Sequence, residues 1–254
     1  MHKDHTGLLQ TRAKGILSAR GCYVCFVDSD DWVDNNTYTT LFAQAEKEKA
    51  DCVIMNYIKE YRSYKEHISR HRKEENGKTL MEHLYQYPFE LFTWCEIFKN
   101  DRRLKDLYRT FYGIDEWKGF TMWEDVLVMM PYYYHTARIS YCNRYFYHYN
   151  RENDNSALNS ISEDKARQAI KVVEYLHHYF KDDRQMTYSV GAMALGAKNL
   201  LLGKVSLSEW RSIDSWCNRY ILRYTSIPLK IRFFYWLLAN NFDFVYNIYR
   251  KARK

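Results

Sequence analysis

Hydrophobic positions follow two different periods along this chain, and the change from one to the other divides it. Leu8, Leu9, Ala13, Ile16 and Leu17 recur near helical spacing, with Gly21 as a stop, and predict a helix over residues 8–19. Tyr23–Val27 is a short apolar run that reads as a buried strand. Asp34, Asn35, Asn36 and Thr37 offer N-caps for a helix to about Lys49, with Leu41, Phe42 and Ala45 on its apolar face. Cys52–Tyr57 reads as a second strand. Residues 60–78 are dense in Lys, Arg, Glu and His without a clear period, and read as a mobile insertion or a β-hairpin. Helices are expected from Thr79, with Leu80, Met81 and Leu84, and over Glu124–Tyr134, followed by a strongly aromatic strand over Ile139–Tyr149. From Ser162 onward only the helical period remains. Ala166, Ile170, Val173, Leu176 and Tyr179–Phe180 carry it first, with Ser162 at the cap and Glu163 and Asp164 in the first turn. Met186–Leu202, Glu209–Arg223 and Pro228–Tyr249 continue it. The alternation predicts an α/β sheet followed by an all-helical region, with a boundary near 158–162 that separates residues 1–158 from 159–254.

Composition narrows the class. With 254 residues, 46% of them hydrophobic, and only 9 Gly and 3 Pro, the chain can build a sizeable core and has no linker-like tract. Six scattered cysteines fit a reducing cytosol. Cys22 and Cys25 form a C-x-x-C, but residues three apart on a strand point to opposite faces, so core packing is expected rather than a redox pair. The opening Met1–Gln10 is polar and reads as no signal peptide, and Phe233–Ala239 is too short an apolar run to span a bilayer. Net charge is +7, with Arg219, Arg223, Lys230, Arg232, Arg250, Lys251, Arg253 and Lys254 facing only Asp243 toward the C-terminus. Such a face is solvated or meets an anionic membrane surface, and a nucleic-acid partner is not expected. His2, His5, His67, His71, His177 and His178 make no convincing zinc set. His67 and His71 fit one helix face, but no H-E-x-x-H is present.

The sharpest chemical signal lies where the apolar run Cys22–Val27 is cut off by Asp28, Asp30 and Asp31. An unpaired buried charge is very costly, so the break reads as a strand end opening into a site. An Asp-x-Asp there is a hard-oxygen ligand set that suits Mg²⁺ or Mn²⁺ shared with substrate phosphates. The plainer alternative is an acidic turn capping the next helix. The tyrosine-rich set Tyr132, Tyr133, Tyr134, Tyr145 and Phe146 packs a core or stacks on sugars, with the core favoured.

Asp28-Ser29-Asp30-Asp31-Trp32 resembles the Asp-x-Asp signature of family 2 nucleotide-sugar glycosyltransferases of the GT-A fold. Gly7, Arg12, Gly15, Ala19 and Gly21 resemble the family's approach to that strand. Trp94 and Phe98 occupy the apolar positions of its W-x-K-l-f segment, with Glu96 in place of the usual basic residue. Glu124-Asp125 resembles its Glu-Asp pair, and Tyr147, Tyr149, Arg151 and Ser156 its Y-x-Y-R…S tail. The resemblance covers roughly residues 5 to 158. It implies that Asp28 lies near the donor ribose, that Asp30 with Asp28 binds a divalent metal, and that Asp31 and Arg12 join in donor binding. It further implies Asp125 as the general base on an acceptor hydroxyl, with Glu124, Trp94, Tyr149 and Arg151 toward acceptor or phosphate.

Chains of this family usually open with an apolar strand and a second strand ending in an acidic turn. Here Met1 stands only a few residues before Gly7, so the first half of the nucleotide-binding fold is expected to be missing. His5 and Ala13 also replace two asparagines of the pattern. The resemblance thus implies inverting, metal-dependent transfer of a sugar, expected to be UDP-linked, to a surface-glycan or lipid-linked acceptor, on the cytoplasmic side. The alternative is a truncated, catalytically inactive remnant or interaction module.

Overall fold

The structure, a computed structural model, describes residues 6–87, 89–152 and 161–252. His2, His5, Ser156, Arg253 and Lys254 lie outside the described residues. Two compact units emerge: Met1–Leu80 with Glu90–Ser160, and Met81–Phe89 with Ile161–Lys254. The units follow chain order except for Met81–Phe89, which clusters with the helical residues.

The first unit is built on a mixed sheet. Its strands are β1 (Tyr23–Cys25), β2 (Trp32–Val33), β3 (Cys52–Glu60), β4 (Lys65–Ile68), β5 (Glu96–Lys99) and β6 (Ile139–Asn150), in the order β1-β5-β3-β6-β2. β3 is central and almost wholly buried. It pairs in parallel with β6 along its length, while β5 and then β4 run antiparallel along its other edge. Register shifts either side of Asn56 bulge β6, and beyond them Tyr57 faces Tyr147 and Ile58 faces His148. Leu41, Ala45, Val53, Met55, Tyr57, Trp94, Ile97, Cys142 and Tyr147 form its core.

Helices α1 (Leu8–Ser18), α4 (Arg102–Arg109) and α5 (Glu124–Tyr134) pack together beside the sheet, α2 (Thr37–Glu48) packs on β3 and β6, and the helix expected from Thr79 is α3 (Gly77–Glu82). α1 buries Leu9, Ala13 and Ile16, as its periodicity requires. Its N-cap Gly7 has φ 91° and bridges Phe120, and a Cβ there would lie 2.7 Å from the Phe120 nitrogen, so only glycine fits. This close approach brings the start of α1 to the segment that leads into α5.

The expectations for Tyr23–Val27, for the Cys22–Cys25 pair and for His67 are corrected here, while the hairpin reading of residues 60–78 holds. Tyr23–Val27 is not a buried strand: β1 stops at Cys25, is an edge strand among the described residues, and leaves Cys22, Cys25 and Val27 exposed. Its apolar residues face a cavity of about 280 Å³ lined by Cys22, Tyr23, Val24, Cys25, Tyr38, Phe42 and Ile97. Cys22 and Cys25 are unpaired, but they do not pack a core. Residues 60–78 resolve into a β3–β4 hairpin, after which Arg70 and Glu74 turn inward and are buried. His67 accordingly lies on a strand, not a helix.

The second unit is helical: α6 (Glu163–Tyr179), α7 (Arg184–Leu201), α8 (Leu207–Ser212), a 3₁₀ segment (Ser215–Arg223), α9 (Leu229–Ala239) and α10 (Phe244–Ala252). The Ser162 hydroxyl caps α6 by accepting from the Lys165 amide at 3.2 Å. The helical stretches expected over Glu209–Arg223 and Pro228–Tyr249 are each broken. Asp214 and Asn241, with φ of 43° and 67°, adopt left-handed conformations at the breaks. Leu195, Trp210, Ile221, Tyr224, Tyr235 and Leu238 form this unit's core, and Tyr85 packs against it. Lys198 is fully buried, donating to Asn218 Oδ1 at 2.8 Å with its ammonium 4.4 Å from the Trp210 ring centre. No helix among the described residues is long and apolar enough to cross a membrane.

Candidate active site

Arg12 organises the site. It projects from α1, is only 6% exposed, and reaches two acidic segments at once. Nη2 donates to Asp28 Oδ1 at 3.0 Å, and Nη1 donates to Glu124 Oε1 at 2.6 Å. Its guanidinium carbon lies 5.5 Å from the Phe26 ring centre. Burial disfavours its charge, but Glu124 and Asp28 outweigh that and raise its pKa. One buried cation therefore joins the acidic turn after β1 to the Glu-Asp pair that opens α5.

The acidic turn is held from the other side by β6. The Asp31 amide closes onto the Asp28 carbonyl at 3.1 Å. The Tyr147 hydroxyl accepts from the Asp28 amide at 3.2 Å and donates to Asp31 Oδ2 at 2.7 Å. Asp31 Oδ1 accepts from the Asn150 amide at 2.8 Å. Asp31 is thus spent on anchoring the turn, whereas Asp30 is exposed and Asp28 keeps 36% of its side chain accessible. Trp32 stacks on His148, whose ring nitrogens meet Glu60 and Asp34.

Electrostatically the cluster is acidic. Asp28, Glu124 and Asp125 lie about one guanidinium, and Asp30 and Asp31 follow Asp28 in the same turn. Burial, with the charges of neighbouring Asp30 and Asp28, raises the pKa of Asp31 against its two hydrogen bonds. Burial raises both Glu124 and Asp125, Asp125 adds to the rise at Glu124, and Arg12 opposes both. These two carboxyls titrate as a pair. Asp125 sits in the first turn of α5, where its Oδ1 accepts from the Val126 amide at 2.8 Å.

Among the described residues no three His, Cys, Asp or Glu side chains converge as a ready metal cage. Asp28 and Asp30 nevertheless fit a hard divalent cation, since Mg²⁺-type sites often use one or two carboxylates and complete their shell with water and phosphate oxygens.

Of the other expected site residues, Trp94 is buried in an aromatic stack, with ring centres 4.3 Å from Phe92, 4.7 Å from Tyr147 and 5.3 Å from Tyr149. Arg151 is exposed and covers Tyr149, its Nη1 donating to the tyrosine hydroxyl at 3.3 Å. One support, Gln10, had no sequence signal of its own, and a second, Glu96, stood out only as an acid in a usually basic position. Gln10 ties α1 to the segment before α5, donating to the Phe111 carbonyl at 2.8 Å and accepting from the Gly113 amide at 2.9 Å. Glu96 is fully buried, accepts from the Tyr133 hydroxyl, and faces Arg70 Nη1 at 3.9 Å. The basic position of the resembled motif thus holds a buried acid whose countercharge comes from the hairpin segment.

An α/β sheet ending in an acidic turn, bridged by arginine to a helix-borne Glu-Asp pair, defines the GT-A class of fold. Residues 1–116 match the family model "Glycosyl transferase family 2". EpsH of Bacillus subtilis (strain 168) is 24% identical over 154 residues, covering 59% of this chain and 43% of EpsH. Glycosyltransferase GlyA of Streptococcus pneumoniae serotype 4 is 27% identical over 160 residues, covering 59% of this chain and 22% of GlyA. The chain therefore spans less than half the length of these relatives. The crystal structure of S. aureus TarS 1-349 with UDP-GlcNAc shares the fold at TM-score 0.64 and 18% identity, over 99% of this chain and 74% of that one. The UDP complex of the same protein gives TM-score 0.58 at 17% identity, over 99% of this chain and 73% of that one.

Proposed function

We propose that this chain belongs to an enzyme that transfers a sugar from a nucleoside-diphosphate donor, UDP-linked, to a glycan or lipid-linked acceptor hydroxyl with inversion at the anomeric carbon. The observation that carries the reading is the Arg12 bridge, which joins Asp28 to Glu124, the residue beside Asp125, through one guanidinium. The UDP and UDP-GlcNAc bound by the TarS structures support the donor class. The cysteines, all free among the described residues, suit a cytoplasmic enzyme.

In this reading Asp28 holds the ribose side of the donor and Asp30, with Asp28, holds Mn²⁺ or Mg²⁺. The bound ion would supply Lewis-acid neutralisation of the leaving diphosphate. Asp31 and Tyr147 fix the turn that carries both carboxylates. Asp125 removes the proton of the acceptor hydroxyl as it attacks the face opposite the diphosphate. Glu124 is held beside Asp125 by Arg12, and burial favours proton capture at Asp125. Tyr149 and Arg151, stacked over the Trp94 ladder, stand toward acceptor or phosphate.

The second reading, a binding module without donor turnover, draws on the exposed β1 edge and the open apolar cavity beside it. Release of UDP from UDP-sugars in the presence of Mn²⁺ separates the two. The transfer reading expects acceptor-dependent release that Asp125→Asn lowers by at least about a hundredfold while UDP affinity stays near that of the parent. Equal release in parent and variant would remove Asp125 from its role.

A further inference from the structure

Helix α9 buries one face and α10 partly covers one, and each presents an apolar stripe on another. On α9, Tyr235 and Leu238 join the core, while Leu229 and Phe233 are 65% and 52% exposed. Trp236 stacks on Phe233 with ring centres 5.9 Å apart. Positions 229, 233 and 236 fall within about 60° of helix surface. α10 repeats the arrangement, with Phe244 and Ile248 four residues apart and 59% and 61% exposed, and Phe242 just before it. Single exposed apolar residues are ordinary, but consecutive stripes of bulky ones mark an interaction surface.

Charge selects the partner. Residues 219–252 hold six cations, Arg219, Arg223, Lys230, Arg232, Arg250 and Lys251, and one acid, Asp243, which is paired with Arg211. Lys230 and Arg232 interleave with the α9 stripe, and Lys251 continues the α10 stripe. We propose that α9 and α10 form an interfacial surface that seats on an anionic lipid bilayer, with the apolar stripes at the acyl boundary and the cations at the headgroups. α9 has 11 residues and lies on such a surface rather than through it. A second copy of the chain fits less well, because a two-fold contact would press these cations against one another.

The surface shares no residue with the catalytic cluster, so its test is independent of the transfer reading. The chain is co-sedimented with vesicles of phosphatidylcholine alone or mixed with phosphatidylglycerol, across a range of NaCl. Binding is expected only to the mixed vesicles and should weaken as salt rises. Leu229→Ser with Phe233→Ser should lower the partition on the order of tenfold. Lys230→Ala with Lys251→Ala should lower it roughly thirtyfold, about fivefold for each cation. All four positions are exposed, and unchanged circular dichroism would confirm that the variants fold. Equal partition into both vesicle types, or no partition, overturns the proposal. So does a dimer in sedimentation velocity that Phe233→Ser dissociates.

Discussion

A buried guanidinium is expensive to desolvate, and Arg12 is kept ionised by the two carboxylates it joins. Removing one partner of a buried pair leaves an uncompensated charge, so Arg12→Ala should destabilise the chain by about 3–5 kcal/mol. Adding Glu124→Gln to that variant should restore part of the loss, because the stranded carboxylate is gone. Urea denaturation of the single and double variants measures both. Tyr147→Phe removes the hydroxyl that links the Asp28 amide to Asp31, at an expected cost of about 1–2 kcal/mol. At this scale the acidic turn, Arg12 and the Glu-Asp pair were legible as residues, but their connection was not. Arg12 and Glu124 are 112 positions apart, and no periodicity specifies which carboxylate a distant arginine meets. The anchoring use of Asp31 was hidden for the same reason, since its partners lie on β6.

Elements with strong periodicity were legible almost to the residue, as with α5 over Glu124–Tyr134 and the Ser162 cap of α6. β1 was misjudged because an apolar run does not reveal whether a strand has one neighbour or two. The two broken C-terminal helices were missed because the left-handed Asp214 and Asn241 interrupt segments whose apolar spacing continues. β5 carries a second testable consequence. Burial pushes the Glu96 carboxyl up to about 8, with Arg70 opposing. The unfolded chain ionises this group near the ordinary glutamate value, so between the two pKa values the folded state holds the extra proton. Its contribution to stability is therefore full below the unfolded value and is lost as pH rises toward 8, by on the order of a few kcal/mol. Glu96→Gln should flatten the fall of unfolding free energy over that range. An unchanged pH profile would mean that Arg70 keeps Glu96 ionised throughout.

For the whole molecule, a GT-A sheet that positions carboxylates and a helical unit with its own core share one chain. The first carries the acidic cluster around Arg12 and the second the exposed basic, apolar surface. The resemblance was legible in the ordered series Gly7, Arg12, Asp28, Asp30 and Glu124-Asp125, of which Gly7 caps α1, Asp28 and Asp30 lie between β1 and β2, and Glu124-Asp125 opens α5. The helical unit offered no such series, since apolar spacing alone specifies helices and not their use. The central claim is that Asp30, held beside the Arg12-bridged cluster, binds a divalent ion together with a nucleoside diphosphate. Depletion of the free Mn²⁺ electron paramagnetic resonance signal by this chain, with and without UDP, tests it most directly. Uptake of Mn²⁺ that requires UDP and disappears in Asp30→Ala is the predicted result. Uptake that is equal in the parent and in Asp30→Ala, or absent from the parent with UDP present, would contradict it.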